Sequence, residues 1–261
     1  MISKNQIKLV RSLEQKKHRQ EEGLFVAEGP KVVGDLLDCH FRPRMIFSLT
    51  GGERWELRGQ RAATPVQMIT DDELRRLSFL QHPQQVLAVF ELPEQGHHND
   101  YSNHHPLSGS VAKGEGLCLA LDGVQDPGNL GTIIRVADWY GIDTIYCSTD
   151  TADAWSPKVV QATMGSIARV HIIYMNLVDL LRNTDLPVYG TVLDGENIYR
   201  QQLTASGIIV MGNEGNGISE PIRQALTHRL LIPQVRHGAE SLNVAVATAI
   251  VCSEFRRQAF V

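Results

Sequence analysis

From residue 117 onward, short apolar runs recur along the chain and helix-patterned stretches separate most of them. The runs cover residues 117–122, 144–148, 170–173, 188–193, 208–212 and 230–233. Their near-continuous apolar character is that of strands buried on both faces. Strands that alternate with helices in this way predict a parallel sheet with helices on both sides.

The first 93 residues read differently. Residues 1–20 are locally basic: Lys4, Lys8, Arg11, Lys16, Lys17 and Arg19 face one acid, Glu14. They read as one basic helix, either a solvated face or a phosphate-contacting arm. Beyond it, residues 24–27, 45–49 and 85–92 are candidate strands, and residues 31–39 and 71–79 are candidate helices. Asp71 is the expected N-cap of the latter. Together these form a small α/β unit. Residues 93–115 are polar and rich in turn formers, and read as a linker. Its His97, His98, His104 and His105 match no closed zinc site, and no cysteine lies nearby. The expected organisation is therefore a domain over 1–93, a linker over 94–115 and a second domain over 116–261.

Several classes are set aside. The formal net charge is −4, so the chain as a whole does not announce a nucleic-acid binder, although a local basic patch still can. Cys39, Cys118, Cys147 and Cys252 form no CxxC pair and read as reduced thiols of a cytoplasmic protein. The N-terminus lacks the apolar core of a signal peptide. No run of about 18 apolar residues suggests a membrane span.

Three segments carry the chemistry. In LALDGVQDPGNLGTIIRVADWYG, residues 119–141, a strand ends at Asp122 and a helix begins near Asn129. Leu130, Ile133, Ile134 and Ala137 make a core-facing stripe, and Arg135 points away from it. In IIVMGNEGNGIS, residues 208–219, a strand runs into a loop with glycines at 212, 215 and 217. The spacing is neither GxGxxG nor that of a P-loop. Glycines there let backbone approach a ligand closely, and Glu214 sits among them. In residues 230–258, a strand ends at Pro233 and a helix begins near Ser241 or Leu242, with Ser241 the expected cap. From Val244 to Cys252 that helix is apolar on nearly every side, which predicts one face on the sheet and another on a second subunit.

These segments, in this order, resemble the three motifs of the SpoU, or TrmH-like, branch of the SPOUT RNA methyltransferase superfamily. PGNLGTIIRVAD resembles the first, MGNEGNGIS the second and ESLNVAVATAI the third. SPKVVQATMGS, residues 156–166, and the N-terminal IKLVRSLEQKKHRQEEGLFVAEG are also similar to members of the family. One departure concerns residues 234–240, seven between Pro233 and Ser241, where many members have one fewer. It puts the geometry of that loop in question.

The resemblance implies a small L30e-like α/β RNA-binding domain followed by a parallel-sheet α/β domain with a deep trefoil knot. It implies an RNA ribose 2′-O-methyltransferase that uses S-adenosylmethionine, acts on ribosomal RNA in preference to tRNA, works as a homodimer and needs no metal. Gly212, Asn213, Gly217, Ile232 and Leu242 match cofactor-loop positions. Arg135, Asn129, Glu214, Ser241 and Asn243 match catalytic positions, with Asn129 and Glu214 expected to orient Arg135 and the ribose. Lys4, Lys8, Arg11, Lys16, Lys17 and Arg19 are the expected phosphate contacts. A guanidinium stays protonated in proteins, which makes an arginine base awkward. Two accounts stay open: another group takes the proton while Arg135 stabilises the alkoxide, or Arg135 is transiently neutral. A non-catalytic RNA- or cofactor-binding module and a nucleotide-dependent α/β enzyme are the competing readings.

Overall fold

The computed structural model describes residues 1–49, 55, 64–93, 116–235 and 241–259. The histidine-rich stretch and most of the 234–240 loop lie outside the described residues. Two compact units result: Met1–Tyr101 with Asp153–Ala168, and Ser102–Ala152 with Arg169–Val261. The boundaries expected from sequence place 153–168 in the second domain, whereas these residues cluster with the first unit.

The first unit is built on a four-stranded sheet of order β1-β4-β2-β3. Its strands are β1 (Leu24–Glu28), β2 (Pro43–Ser48), β3 (Val66–Met68) and β4 (Val86–Glu91). β1–β4 and β4–β2 are antiparallel, and β2–β3 is parallel. Every residue of β1 is buried, because both faces of the sheet are covered. On one face Leu24, Val26, Phe47, Leu87 and Val89 share a core with Val10, Leu74 and Leu77 of α1 (Lys4–Ser12) and α4 (Asp71–Leu77). On the other, Phe25 stacks on Phe90 at 5.6 Å and meets Trp155 at 4.7 Å. Burying each such side chain contributes about 1.5–3 kcal/mol. α3 (Pro30–Asp38) and α6 (Pro157–Ala162) lie against β1.

Two local expectations are corrected here. Residues 1–20 are not one helix: α1 ends at Ser12, and α2 runs Lys16–Glu22. The carbonyls of Leu13 and Glu14, left without helical partners at the break, each accept from the Arg19 guanidinium at 2.7 Å. The cap of α4 is Thr70 rather than Asp71. The Thr70 hydroxyl accepts from Glu73 N, and the Glu73 carboxylate accepts from Thr70 N at 3.0 Å, a reciprocal capping box.

The second unit holds a six-stranded sheet of order β10-β8-β9-β5-β6-β7, all parallel. Its strands are β5 (Leu117–Leu121), β6 (Thr144–Cys147), β7 (His171–Tyr174), β8 (Val188–Asn197), β9 (Gly207–Met211) and β10 (His228–Leu231). Its helices are α5 (Pro127–Trp139), α7 (Leu177–Arg182), α8 (Glu220–Arg223) and α9 (Val244–Ala259). After β5 the chain builds outward through β6 and β7, then returns to the far side and lays β9 directly against β5. The strand order therefore reverses between β5 and β9. At such a switch point the loops leaving two neighbouring strands part in opposite directions and leave a crevice at their C-terminal ends.

Candidate active site at the β5–β9 crevice

The crevice is lined by the segments singled out in the sequence. α5 opens with Asp126 as N-cap, its carboxylate accepting from Asn129 N at 2.8 Å, and with Pro127 in the first turn, where a proline's missing N–H costs nothing. Leu130, Ile133, Ile134 and Ala137 are fully buried and Arg135 is exposed, as the helical spacing predicts.

The loop after β9 is closed on itself. Asn213 and Gly217 exchange two backbone hydrogen bonds of 2.9 Å. The Asn213 side-chain oxygen accepts from Gly215 N at 2.9 Å and Asn216 N at 3.0 Å. A Cβ on Gly212 would stand 2.3 Å from the Gly217 carbonyl carbon, so only glycine fits there. The loop is also tied to the end of β5: Asn213 Nδ2 donates to Gly123 O at 2.7 Å, and Ser219 N donates to Asp122 Oδ2 at 2.7 Å. Gly123 N in turn donates to Ser148 Oγ at 2.8 Å. This bracing holds Glu214 at the tip.

α9 begins after Asn243, whose side-chain oxygen accepts from Ala245 N at 3.0 Å and Val246 N at 3.2 Å. Asn243, not Ser241, is therefore the cap. Ser241 is exposed two residues upstream; the helix starts at Val244, where its apolar run begins. The other end of the Asn243 amide donates to Asn129 Oδ1 at 2.9 Å, and Asn129 Nδ2 donates to Glu214 Oε1 at 2.9 Å. Asn243, Asn129 and Glu214, from the start of α9, the first turn of α5 and the loop after β9, thus form one directed chain of hydrogen bonds.

The two helices behind this chain are parallel. Asn243 meets Asn129 at their N-terminal ends, and Arg256 of α9 donates to Tyr140 O and Gly141 O, both at 2.7 Å, at the C-terminal end of α5. Both macrodipoles therefore point their positive ends at Glu214 and the space around it. Such a place favours a carboxylate, and it would equally favour negative charge developing on an oxygen.

The remaining candidates fall into groups. Arg135 lies six residues along α5 from Asn129, about 9 Å up the axis. Among the described residues it makes no hydrogen bond or ion pair, so the expected orientation of Arg135 by Asn129 and Glu214 is not present within one chain. Asn213 has its amide engaged at both ends, which makes it a holder of the loop rather than a side chain free for a ligand. Ile232 is half-buried, and Leu242 is 50% exposed. The Gly212–Gly217 backbone is closely packed on itself at the end of β9. That neutral, backbone-lined donor set suits a nucleoside with a small polar tail. Among the described residues no group of three or more His, Cys, Asp or Glu side chains could hold a metal. No helix there is long and apolar enough to cross a membrane.

In the first unit Lys4, Lys8, Arg11, Lys16 and Lys17 are exposed, although Arg11 also donates to Ser78 O at 2.6 Å and lies 4.8 Å over the Phe79 ring. Arg19 is corrected: it is 2% exposed and its donors go to Leu13, Glu14 and Asp153. A guanidinium so enclosed does not face a phosphate. Sequence reading missed Asp122, Asp126 and Ser148, which brace the loops. The Asp126-Pro127 pair was legible as a cap followed by a first-turn proline; the other two carry no local signal.

Comparison with known proteins gives a consistent picture. Residues 116–253 match the model of the SpoU rRNA Methylase family, and residues 4–88 match the MRM3-like substrate binding domain. The 23S rRNA (guanosine(2553)-2′-O)-methyltransferase RlmP of Bacillus subtilis is 31% identical, over 97% of this chain and 97% of its own. A solved Porphyromonas gingivalis structure, described as of the TrmH family of RNA methyltransferases, is 42% identical with a TM-score of 0.83 and 99% of each chain covered. An AdoMet-bound rRNA methyltransferase from Sinorhizobium meliloti is 31% identical with a TM-score of 0.84, over 98% of this chain and 96% of that one.

Proposed function

The chain belongs to the SpoU rRNA methylase family, and from that premise we propose that it methylates a ribose 2′-hydroxyl of ribosomal RNA in the cytoplasm. The likeness to RlmP over nearly the whole of both chains supports ribosomal RNA as the substrate. The observation that carries the catalytic reading is the Asn243–Asn129–Glu214 chain at the convergence of two helix N-termini.

S-adenosylmethionine, when bound, supplies a methyl group on a sulfonium that is already a good leaving group. The protein's own residues must then position the hydroxyl and favour its loss of a proton. Gly212, Gly217, Ile232 and Leu242 would hold the nucleoside end. Asn129 and Glu214 fix the position of the ribose. The helix ends stabilise charge that develops on the attacking oxygen, and Arg135 adds a cation to the same task. The chemistry needs no metal.

We also propose a homodimer and a knotted C-terminal segment, as the family resemblance implies. Within one chain Arg135 stands apart from the Asn129 cluster, and Val246 on α9 is 50% exposed. A second copy packed on α9 would cover Val246 and could bring an Arg135 to the other copy's cluster. Isothermal calorimetry with and without EDTA tests the cofactor reading: binding of S-adenosylmethionine is expected in both, and a strict metal requirement refutes it. Mapping 2′-O-methylation of 23S rRNA in a deletion strain against its parent tests the substrate. One lost ribose methyl is expected, and an unchanged map with an altered tRNA overturns the assignment.

A further inference from the structure

α2 has an unusual basis for its position. Its sequence, KKHRQEE, contains no apolar residue, its N-cap Gln15 makes no side-chain cap bond, and its one buried residue is Arg19. A seven-residue helix of this kind has no stability of its own and no apolar face to dock. What holds it is Arg19. One side of the guanidinium takes the carbonyls of Leu13 and Glu14, both at 2.7 Å. The other meets Asp153 Oδ2 through Nε at 3.2 Å and through a closer second nitrogen. The second oxygen of Asp153 accepts from Trp155 N at 3.1 Å. Trp155 packs on Phe25 at 4.7 Å and on Phe41 at 6.1 Å. Asp153 is thus braced against the sheet on one side and grips α2 on the other. All of these residues belong to the first unit, although Asp153 falls inside the span matched by the methylase family model.

We propose that Arg19 and Asp153 are positioning residues for RNA: they set α2 so that Lys16 and Lys17, in its first turn, face the phosphate backbone. This rests on the proposed RNA-methylating function and on those lysines as phosphate contacts. Neither Arg19 nor Asp153 touches the RNA. The pair acts by anchoring α2 through its one buried side chain.

The test uses the full chain, an in vitro 23S rRNA transcript and single-turnover methylation at several RNA and salt concentrations. Asp153→Asn is expected to raise the RNA concentration at half-maximal rate about tenfold, the scale of one lost contact set. The rate at saturating RNA and the affinity for S-adenosylmethionine stay as in the wild type. The log–log salt slope falls by up to about one unit per disengaged lysine. Hydrogen exchange in α2 accelerates while β1 and β4 stay protected. Arg19→Lys keeps the charge but gathers its donors on one nitrogen where the guanidinium uses three, so it cannot span the carbonyls and Asp153 together, and shows the same pattern more weakly. If α2 exchange accelerates and RNA affinity does not change, the proposal is overturned. If both variants unfold the first unit, the pair is a folding element and the positioning role is wrong. The double variant Lys16→Ala with Lys17→Ala separates the premises. Unchanged affinity there refutes the lysines as contacts. Weakened affinity there, with none in Asp153→Asn, refutes the positioning alone.

Discussion

Asn243 performs two tasks with one amide: its oxygen caps α9 and its nitrogen holds Asn129. The tasks can be separated by substitution. Asn243→Asp keeps the cap acceptor, loses the donor and sets a second carboxylate near Glu214. It is expected to melt close to the wild type while methyl transfer falls at least about tenfold. Asn243→Ala loses both, with a further destabilisation of about 1 kcal/mol for the cap. Equal activity of Asn243→Asp and the wild type would reduce the residue to a cap. Glu28 offers a prediction in pH. Burial raises its carboxyl above the usual range, offset in part by bonds from the Ser78 hydroxyl and Phe79 N and by Arg11. A raised folded value means that the folded state binds the proton more tightly than the unfolded chain does. The protein therefore loses stability as pH rises from about 4.5, the unfolded value, through the folded value, and is level above it. Glu28→Gln removes that loss. Its melting temperature, compared with that of the wild type across pH 4 to 8, is expected to gain as pH rises. A constant difference would show that Glu28 does not titrate in this window.

At the scale of elements, α9 shows what an apolar pattern leaves for a second chain. Its run predicts one face on the sheet and another on a second subunit, and within one chain Val244, Ala245, Thr248, Val251, Cys252 and Phe255 are buried while Val246 is 50% exposed. A 16-residue helix on the outside of a sheet has one face available to its own chain. The uncovered face is where a second copy is proposed to sit. Val246→Asp then has a specific outcome: the monomer keeps its fold, because the site is half in water, and the dimer disperses, because an unpaired charge in its interface is costly. Light scattering and circular dichroism on the same sample check both halves, and a charged variant that stays dimeric rules the interface out. β3 and the break between α1 and α2 were not legible. β3 is three half-exposed residues held by the parallel register with β2, and the break depends on Arg19 finding carbonyls that sequence does not point to.

At the scale of the whole molecule, the proposed chemistry and the proposed RNA contacts fall in different units, which predicts separable kinetic effects. Arg135→Ala removes a side chain that is exposed and unpaired among the described residues, so fold and cofactor affinity stay as they are. The single-turnover rate at saturating RNA is expected to drop at least about a hundredfold, the scale for one transition-state donor. A wild-type rate there would mean that the role given to Arg135 is wrong. Sequence alone determined the strands of the second unit, the face of α5 and the family, because burial on both sides of a sheet and on one side of a helix imposes periods that neighbours in the chain must obey. It also brought into view the side chains at 129, 214 and 243, which the structure joins by hydrogen bonds. Tertiary structure alone decided their relations. Asn129, Glu214 and Asn243 are separated by 85 and 114 residues from one another's partners and meet because β9 is laid against β5. Arg19 turned from a surface cation into a buried strut because Asp153, 134 residues away, came to lie against it. Hydrogen bonds and ion pairs act over about 3 Å of space, and the distance along the chain that separates their partners leaves no periodic trace.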